Sequence, residues 1–134
     1  MGRGLKRQAA QAISKWGLAF VLGSTLMAGP GVQARTADAA TVALAQLPEP
    51  ARQTYQRVLS GGPFPYRKDG IEFGNRERRL PSKTKGYYRE YTVETPGSAD
   101  RGARRIVCGG PKPTEPETCY YTADHYTSFS RIVP

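Results

Sequence analysis

Histidine, cysteine and acidic side chains are the scarce groups in this 134-residue chain. It holds one histidine, His125, and two cysteines, Cys108 and Cys119. Two cysteines and one histidine at these positions make no recognisable zinc-binding spacing, so metal binding is not expected, and no residue pattern calls for a cofactor. Long apolar runs are missing too. Trp16 to Ala28 is a mainly apolar, charge-free stretch of 13 residues, short of the roughly 20 that a membrane-spanning helix needs. Eleven Asp and Glu stand against 20 Lys and Arg. The deficit of acid favours a polyanionic partner such as nucleic acid over a cationic one, with plain solubility as the other use of the charge. The length leaves no room for more than one ordinary domain.

What is present begins with an export signal. Arg3, Lys6, Arg7 and Lys15 precede the apolar stretch, Gly29-Pro30-Gly31 breaks it, and Val32-Gln33-Ala34 has small residues at cleavage-site positions. Residues 1–34 therefore read as a secretory signal peptide cut after Ala34, leaving one domain over 35–134 in the extracellular space or periplasm. After cleavage no stable membrane association is expected. The mature chain keeps a net charge of +5 with histidine neutral. Two cysteines in an exported chain suggest a disulfide. Cys108 and Cys119 flank a loop full of glycine and proline, Gly109 to Glu117, so the flanks read as a hairpin. Two separate buried thiols are the alternative.

Along the mature chain, Arg35 to Gln46 carries no strong signal, and its start is expected to be loose. Pro48-Glu49-Pro50 opens a helix, Ala51, Tyr55, Val58 and Leu59 make its apolar face, and Ser60-Gly61-Gly62 stops it. Gly86 to Glu94 reads as a strand, rich in aromatic and β-branched residues. Alternation sets Tyr88, Glu90 and Thr92 on one face and Tyr87, Arg89, Tyr91 and Val93 on the other. The second set reads as the core face, with Arg89 reaching past it to solvent. Glu90 then stands mid-strand on a face to which its own strand gives no aliphatic residue. A carboxylate on a rigid strand suits general base chemistry, and a solvated or salt-bridged glutamate is the plainer reading.

Three other places carry chemistry. In Phe73-Gly74-Asn75-Arg76-Glu77, Gly and Asn allow successive N–H groups to converge on one acceptor. A carboxylate beside them, Glu77, complements the O6, N1–H and N2–H edge of guanine, and Phe73 can stack on the base. A loop with a solvated glutamate is the alternative. Arg101 and Arg105 lead into and begin the next strand, where guanidinium groups can clamp a phosphate or guard a sheet edge. Arg78 to Lys85 reads as a solvated basic connection. His125 lies between Asp124 and Tyr126 in a turn, a place where catalytic groups and ordinary surface histidines both occur.

Glu90, Arg101, Arg105 and His125, with the Phe73–Glu77 loop upstream, resemble the microbial guanyl-specific ribonucleases. The pieces that carry the resemblance are GGPFPYRKDGIEFGNRE, GYYREYTVETPG, RGARRIV and YYTADHYTSF, in that order between Leu47 and Ile132. The resemblance implies an α+β fold, one short helix on a twisted antiparallel sheet. It implies that Glu90 is the general base and His125 the general acid, that Arg101 and Arg105 hold the phosphate, and that Tyr126 touches it. Glu77 falls on the carboxylate that reads guanine, with the backbone N–H groups of Asn75 and Arg76 on O6 and Phe73 beside the base. Single-stranded RNA would be the substrate of a metal-free monomeric enzyme, and a barstar-like inhibitor protein a partner. An exported basic module that binds RNA or protein without cutting is the rival reading. Gly74 stands where the family pattern has a side-chain amide, and the cysteine pair sits at a new place.

Overall fold

The computed structural model describes residues 40–134, so the signal segment and its cleavage site lie outside the described residues. Six strands form one sheet: β1 (Ala40–Ala43), β2 (Ile71–Glu72), β3 (Tyr88–Thr92), β4 (Arg105–Gly109), β5 (Thr118–Thr122) and β6 (Ser130–Val133), in the order β1-β6-β5-β4-β3-β2. Every pairing is antiparallel except β1 with β6. Helix α1 (Glu49–Ser60) packs on β3 and β4.

The ends of α1 follow from sequence. Pro48 is its N-cap, Glu49 sits in the first turn, and Gly61 ends it at φ 78°. Gly61 N–H donates to Val58 O and Gly62 N–H to Arg57 O at 2.9 Å, the double C-terminal closure that a left-handed residue permits. The buried stripe is Ala51, Thr54 and Val58, with Tyr55 half-buried, while Leu59 is 39% exposed. Leu59 was expected in the core; it falls about 80° round the helix from Ala51, and the three-turn contact is too narrow to reach it. Thr54 takes the place instead, its hydroxyl donating to Thr92 O of β3 at 3.0 Å. That bond ties the helix to the strand that carries Glu90.

Both faces of the sheet are covered. Leu47, Ala51, Val58, Tyr91, Val93, Ile106, Ile132 and the Cys108–Cys119 disulfide form the core under the helix. Leu80, Tyr88, Val107, Tyr120 and Phe129 form a second cluster on the other face. The register explains the division, since Glu90 pairs with Val107 and Val107 with Tyr120, while Thr92 pairs with Arg105 and Arg105 with Thr122. Glu90 therefore has an aliphatic neighbour, Val107 of the adjoining strand, that its own strand could not reveal. Arg89 does not reach solvent alone; its guanidinium donates to Gly70 O at 2.8 Å.

One stretch departs from expectation. Residues 40–46 form β1 and a 3-10 turn, Leu44–Gln46, where no regular structure was expected. The strand exists because Val42 pairs with Ile132 and Ala43 with Val133, about ninety residues further along the chain. Non-local pairing leaves no mark on a local pattern.

Candidate active site

Glu90 stands at the centre of β3 and is only 8% exposed. Its two oxygens have separate partners. Arg101 Nη2 lies 3.2 Å from Oε1, and the Tyr126 hydroxyl donates a short hydrogen bond to Oε2. Arg101 is itself aimed by Thr92, the next residue on the Glu90 face, whose Oγ1 accepts from Arg101 Nε at 2.8 Å. The loop that delivers Arg101 depends on Gly102, which has φ 61° and where a side chain would collide with Thr95. Burial, together with the bond to the Glu90 carboxylate and its charge, pushes the Tyr126 phenol up to about 12; the Arg105 guanidinium acts in the opposite sense.

Arg105 opens β4 on the same face and is 3% exposed. Its Nη1 donates to the carbonyls of Gly102 at 3.0 Å and Arg104 at 2.7 Å, with Arg101 O further off at 3.4 Å. Its Nε is buried with no acceptor among the described residues, and no carboxylate pairs with it there. A buried cation with an unspent N–H is unstable unless an anion completes it.

His125 and Tyr126 sit on a turn that Asp124 organises. Asp124 Oδ1 accepts from Thr122 Oγ1 and Ser128 N, both at 2.9 Å, and Oδ2 accepts from Ser128 Oγ at 2.6 Å. These donors hold the Asp124 carboxyl down at about 2, with Ser128 the largest contributor. The turn takes His125 and Tyr126 through the left-handed region, at φ 51° and 71°. Such angles are costly for side-chain-bearing residues and are kept where neighbouring structure enforces them. The His125 backbone N–H donates to Ala103 O at 3.0 Å. Its ring is exposed and packs against Tyr126, with centroids 4.8 Å apart.

A cleft of about 300 Å³ runs from this cluster to the Phe73–Glu77 loop, with Glu90, Tyr126, Phe129, Phe73 and Glu77 on its walls. Phe73 stacks on Tyr126 at 5.0 Å between centroids. The Asn75 side chain does not face a ligand, because its amide exchanges hydrogen bonds with Leu80 N and O at 3.1 and 2.8 Å. That pair holds Asn75 at φ 47°. The N–H groups of Asn75 and Arg76 enter none of the hydrogen bonds among the described residues. Glu77 lies open, with Arg79 Nε 3.1 Å from Oε2. No group of three or more metal-ligating side chains occurs among the described residues.

Glu90, Arg101, Arg105 and Tyr126 thus meet at one end of the cleft, the Phe73–Glu77 loop is its other end, and His125 flanks Tyr126. Sequence reasoning missed Thr92 and Asp124. Thr92 shares the Glu90 face two residues on, and Asp124 has the Asx-turn pattern, a serine four residues later; both signals were legible.

The family model described as ribonuclease matches residues 31–133. Guanyl-specific ribonuclease Sa3 of Kitasatospora aureofaciens is 52% identical over 91 residues, 68% of this chain and 62% of that one. The chain thus spans somewhat less than two thirds of that relative. Guanyl-specific ribonuclease Sa of the same organism is 51% identical over 92 residues, covering 69% of this chain and 92% of its own length. Among solved structures, ribonuclease Sa2 with guanosine-2'-cyclophosphate superposes with a TM-score of 0.65 at 46% identity, covering 72% of this chain and 97% of that one.

Proposed function

The chain belongs to the microbial guanyl-specific ribonuclease family, and from that premise we propose that it is an exported endoribonuclease cutting single-stranded RNA on the 3′ side of guanosine. The observation that carries the reading is the buried Arg105, with an unspent N–H, beside a carboxylate held by Arg101 and Tyr126. An anion is wanted there, next to a group able to take a proton. A phosphodiester supplies the anion and a ribose 2′-OH supplies the proton.

Glu90 accepts the 2′-OH proton as O2′ attacks phosphorus. The P–O5′ bond breaks, and His125 protonates the departing 5′ oxygen. A 2′,3′-cyclic phosphate forms, and water opens it with the two residues exchanging roles. Negative charge grows on the non-bridging oxygens, where Arg101 and Arg105 neutralise it in a water-poor setting. Arg105 is fixed by backbone carbonyls before substrate arrives, so little reorganisation is left for the reaction. The nucleophile belongs to the substrate, so the chemistry requires no metal. Glu77 and the N–H groups of Asn75 and Arg76 read the base, and Phe73 covers it. The reading includes a leader cut after Ala34 and a monomeric product. The Cys108–Cys119 disulfide supports an oxidising destination.

The test is incubation of the purified mature protein with defined RNA oligonucleotides in EDTA, with the cuts mapped. Fragments ending in guanosine 2′,3′-cyclic phosphate are expected. RNA that is bound tightly and left whole would make the protein a binding module instead.

A further inference from the structure

We propose that a basic groove behind the Phe73–Glu77 loop holds backbone phosphates of the RNA on the 5′ side of the guanosine; this rests on the reading of the site given above. The groove encloses about 450 Å³ and shares Phe73, Gly74, Asn75 and Arg76 with the catalytic cleft. The loop is therefore a wall with the base on one side and this groove on the other. Arg76, Arg78, Lys83 and Lys85 line it against a single acid, Glu72, whose Oε1 already accepts from Gly86 N at 3.0 Å.

Arg52, Arg79 and Lys112 each lie against a carboxylate, from Glu49, Glu77 and Glu115. The four groove cations have none within ion-pair distance among the described residues. Exposed Arg67, Lys68 and Arg131 lack a carboxylate as well, and what sets these four cations apart is that one groove gathers them. Lys83 is held over the Tyr87 ring at 5.1 Å, and the chain before it is anchored where the Tyr88 hydroxyl donates to Pro81 O at 2.6 Å. A concave, unpaired basic surface continuous with a base pocket tracks a polynucleotide backbone.

Direction follows from the catalytic reading. The strand 3′ of the cut leaves past His125, and neither His125 nor Tyr126 borders the groove. The chain on the other side of the guanosine is the one that can reach it.

The experiment compares three RNA substrates with one scissile bond: GpU, GpU extended by three uridines on the 3′ side, and GpU extended by three on the 5′ side. The variants are R78Q/K83Q/K85Q, the milder K83Q/K85Q, and K112Q as a charge control on the β4–β5 hairpin, outside the groove lining. In the wild type the 5′ extension raises kcat/KM. With two or three phosphates engaged, that gain falls by about tenfold between about 50 and 200 mM salt. The triple variant loses the gain and its salt slope while cutting GpU within about twofold, and K112Q keeps both. Binding of 5′-extended oligonucleotides with 2′-deoxyguanosine at the cut site follows the same order, without cleavage.

The proposal is overturned if the 5′ extension gives no gain, if the 3′ extension shows the loss instead, or if K112Q loses as much. Should the triple variant lose GpU turnover through disturbance of Arg78, which sits at φ 54°, K83Q/K85Q decides by the same comparison. A groove-dependent titration with no cleavage of any substrate would sustain the groove and refute the ribonuclease reading.

Discussion

In the proposed mechanism Glu90 and His125 carry opposite proton tasks, so a change of leaving group separates them. His125→Ala should lose roughly 10²–10⁴-fold on a dinucleotide whose leaving alkoxide needs a proton, and far less on a substrate whose leaving group does not. Glu90→Ala should be impaired on both. Steady-state rates on the two substrates check this; equal loss for His125→Ala would make it a phosphate-binding or structural residue. Glu77 is tested by base choice. Its carboxylate is exposed and held by Arg79 alone among the described residues, so it is free to turn to the base. Glu77→Ala should cut GpU turnover more than ApU turnover. Unpaired base donors cost about 1–3 kcal/mol, or roughly one to two orders of magnitude in kcat/KM. Equal loss on both substrates would mean that Glu77 only supports its loop.

At the scale of elements, the turn between β5 and β6 matters most, because it alone delivers both His125 and Tyr126. Asp124 accepts three hydrogen bonds there and is held at about 2. A carboxyl depressed in the folded state stabilises it above the ordinary value near 3.9; that contribution is lost as pH falls from about 4 through about 2. Asp124→Asn should therefore lower the unfolding midpoint at pH 5, with the gap from the parent closing towards pH 2. Thermal unfolding of both proteins across that range checks it, and a gap independent of pH would show that ionisation of Asp124 plays no part. The variant should also lose about tenfold in kcat, since a turn relaxed from left-handed angles misplaces both side chains. Strand β3 shows the complementary case. Its rigidity comes from pairing on both edges and from Thr54 of the helix donating to Thr92 O, so its site residues need no turn to hold them.

For the whole molecule, the sheet separates stability from chemistry. The disulfide joins Cys108 and Cys119, direct partners across β4 and β5, within the core under the helix. Glu90 and Arg105 stand on the opposite face. A bridge closing so short a loop contributes roughly 2–4 kcal/mol in the chain-entropy picture. Reduction should lower the unfolding midpoint on the order of 10–20 °C for a domain of this size. Well below that midpoint, kcat/KM on GpU should change less than about threefold. Calorimetry and initial rates with and without reductant check both parts; a folded, reduced protein without activity would mean that the hairpin itself holds the site.

Chemical identity was legible in the sequence, and so were the local elements. Proline, glutamate and glycine marked the ends of α1, alternation put Glu90 and Thr92 on one face, and the glycine- and proline-rich loop between two cysteines marked the hairpin. These are short-range properties of backbone sterics and periodicity, and they are written in neighbouring residues. Only the tertiary structure decided the rest. Strand β1 depends on pairing with β6, burial of Glu90 depends on Val107, Arg101 and Tyr126 arriving from elsewhere in the chain, and Arg105 becomes a buried cation only when the loop before β4 folds its carbonyls around it. The Tyr126 hydroxyl meets Glu90 across 36 residues of chain. Contacts at such separation depend on register and loop closure. A sequence read locally names the side chains available for chemistry, and packing fixes the distances between them.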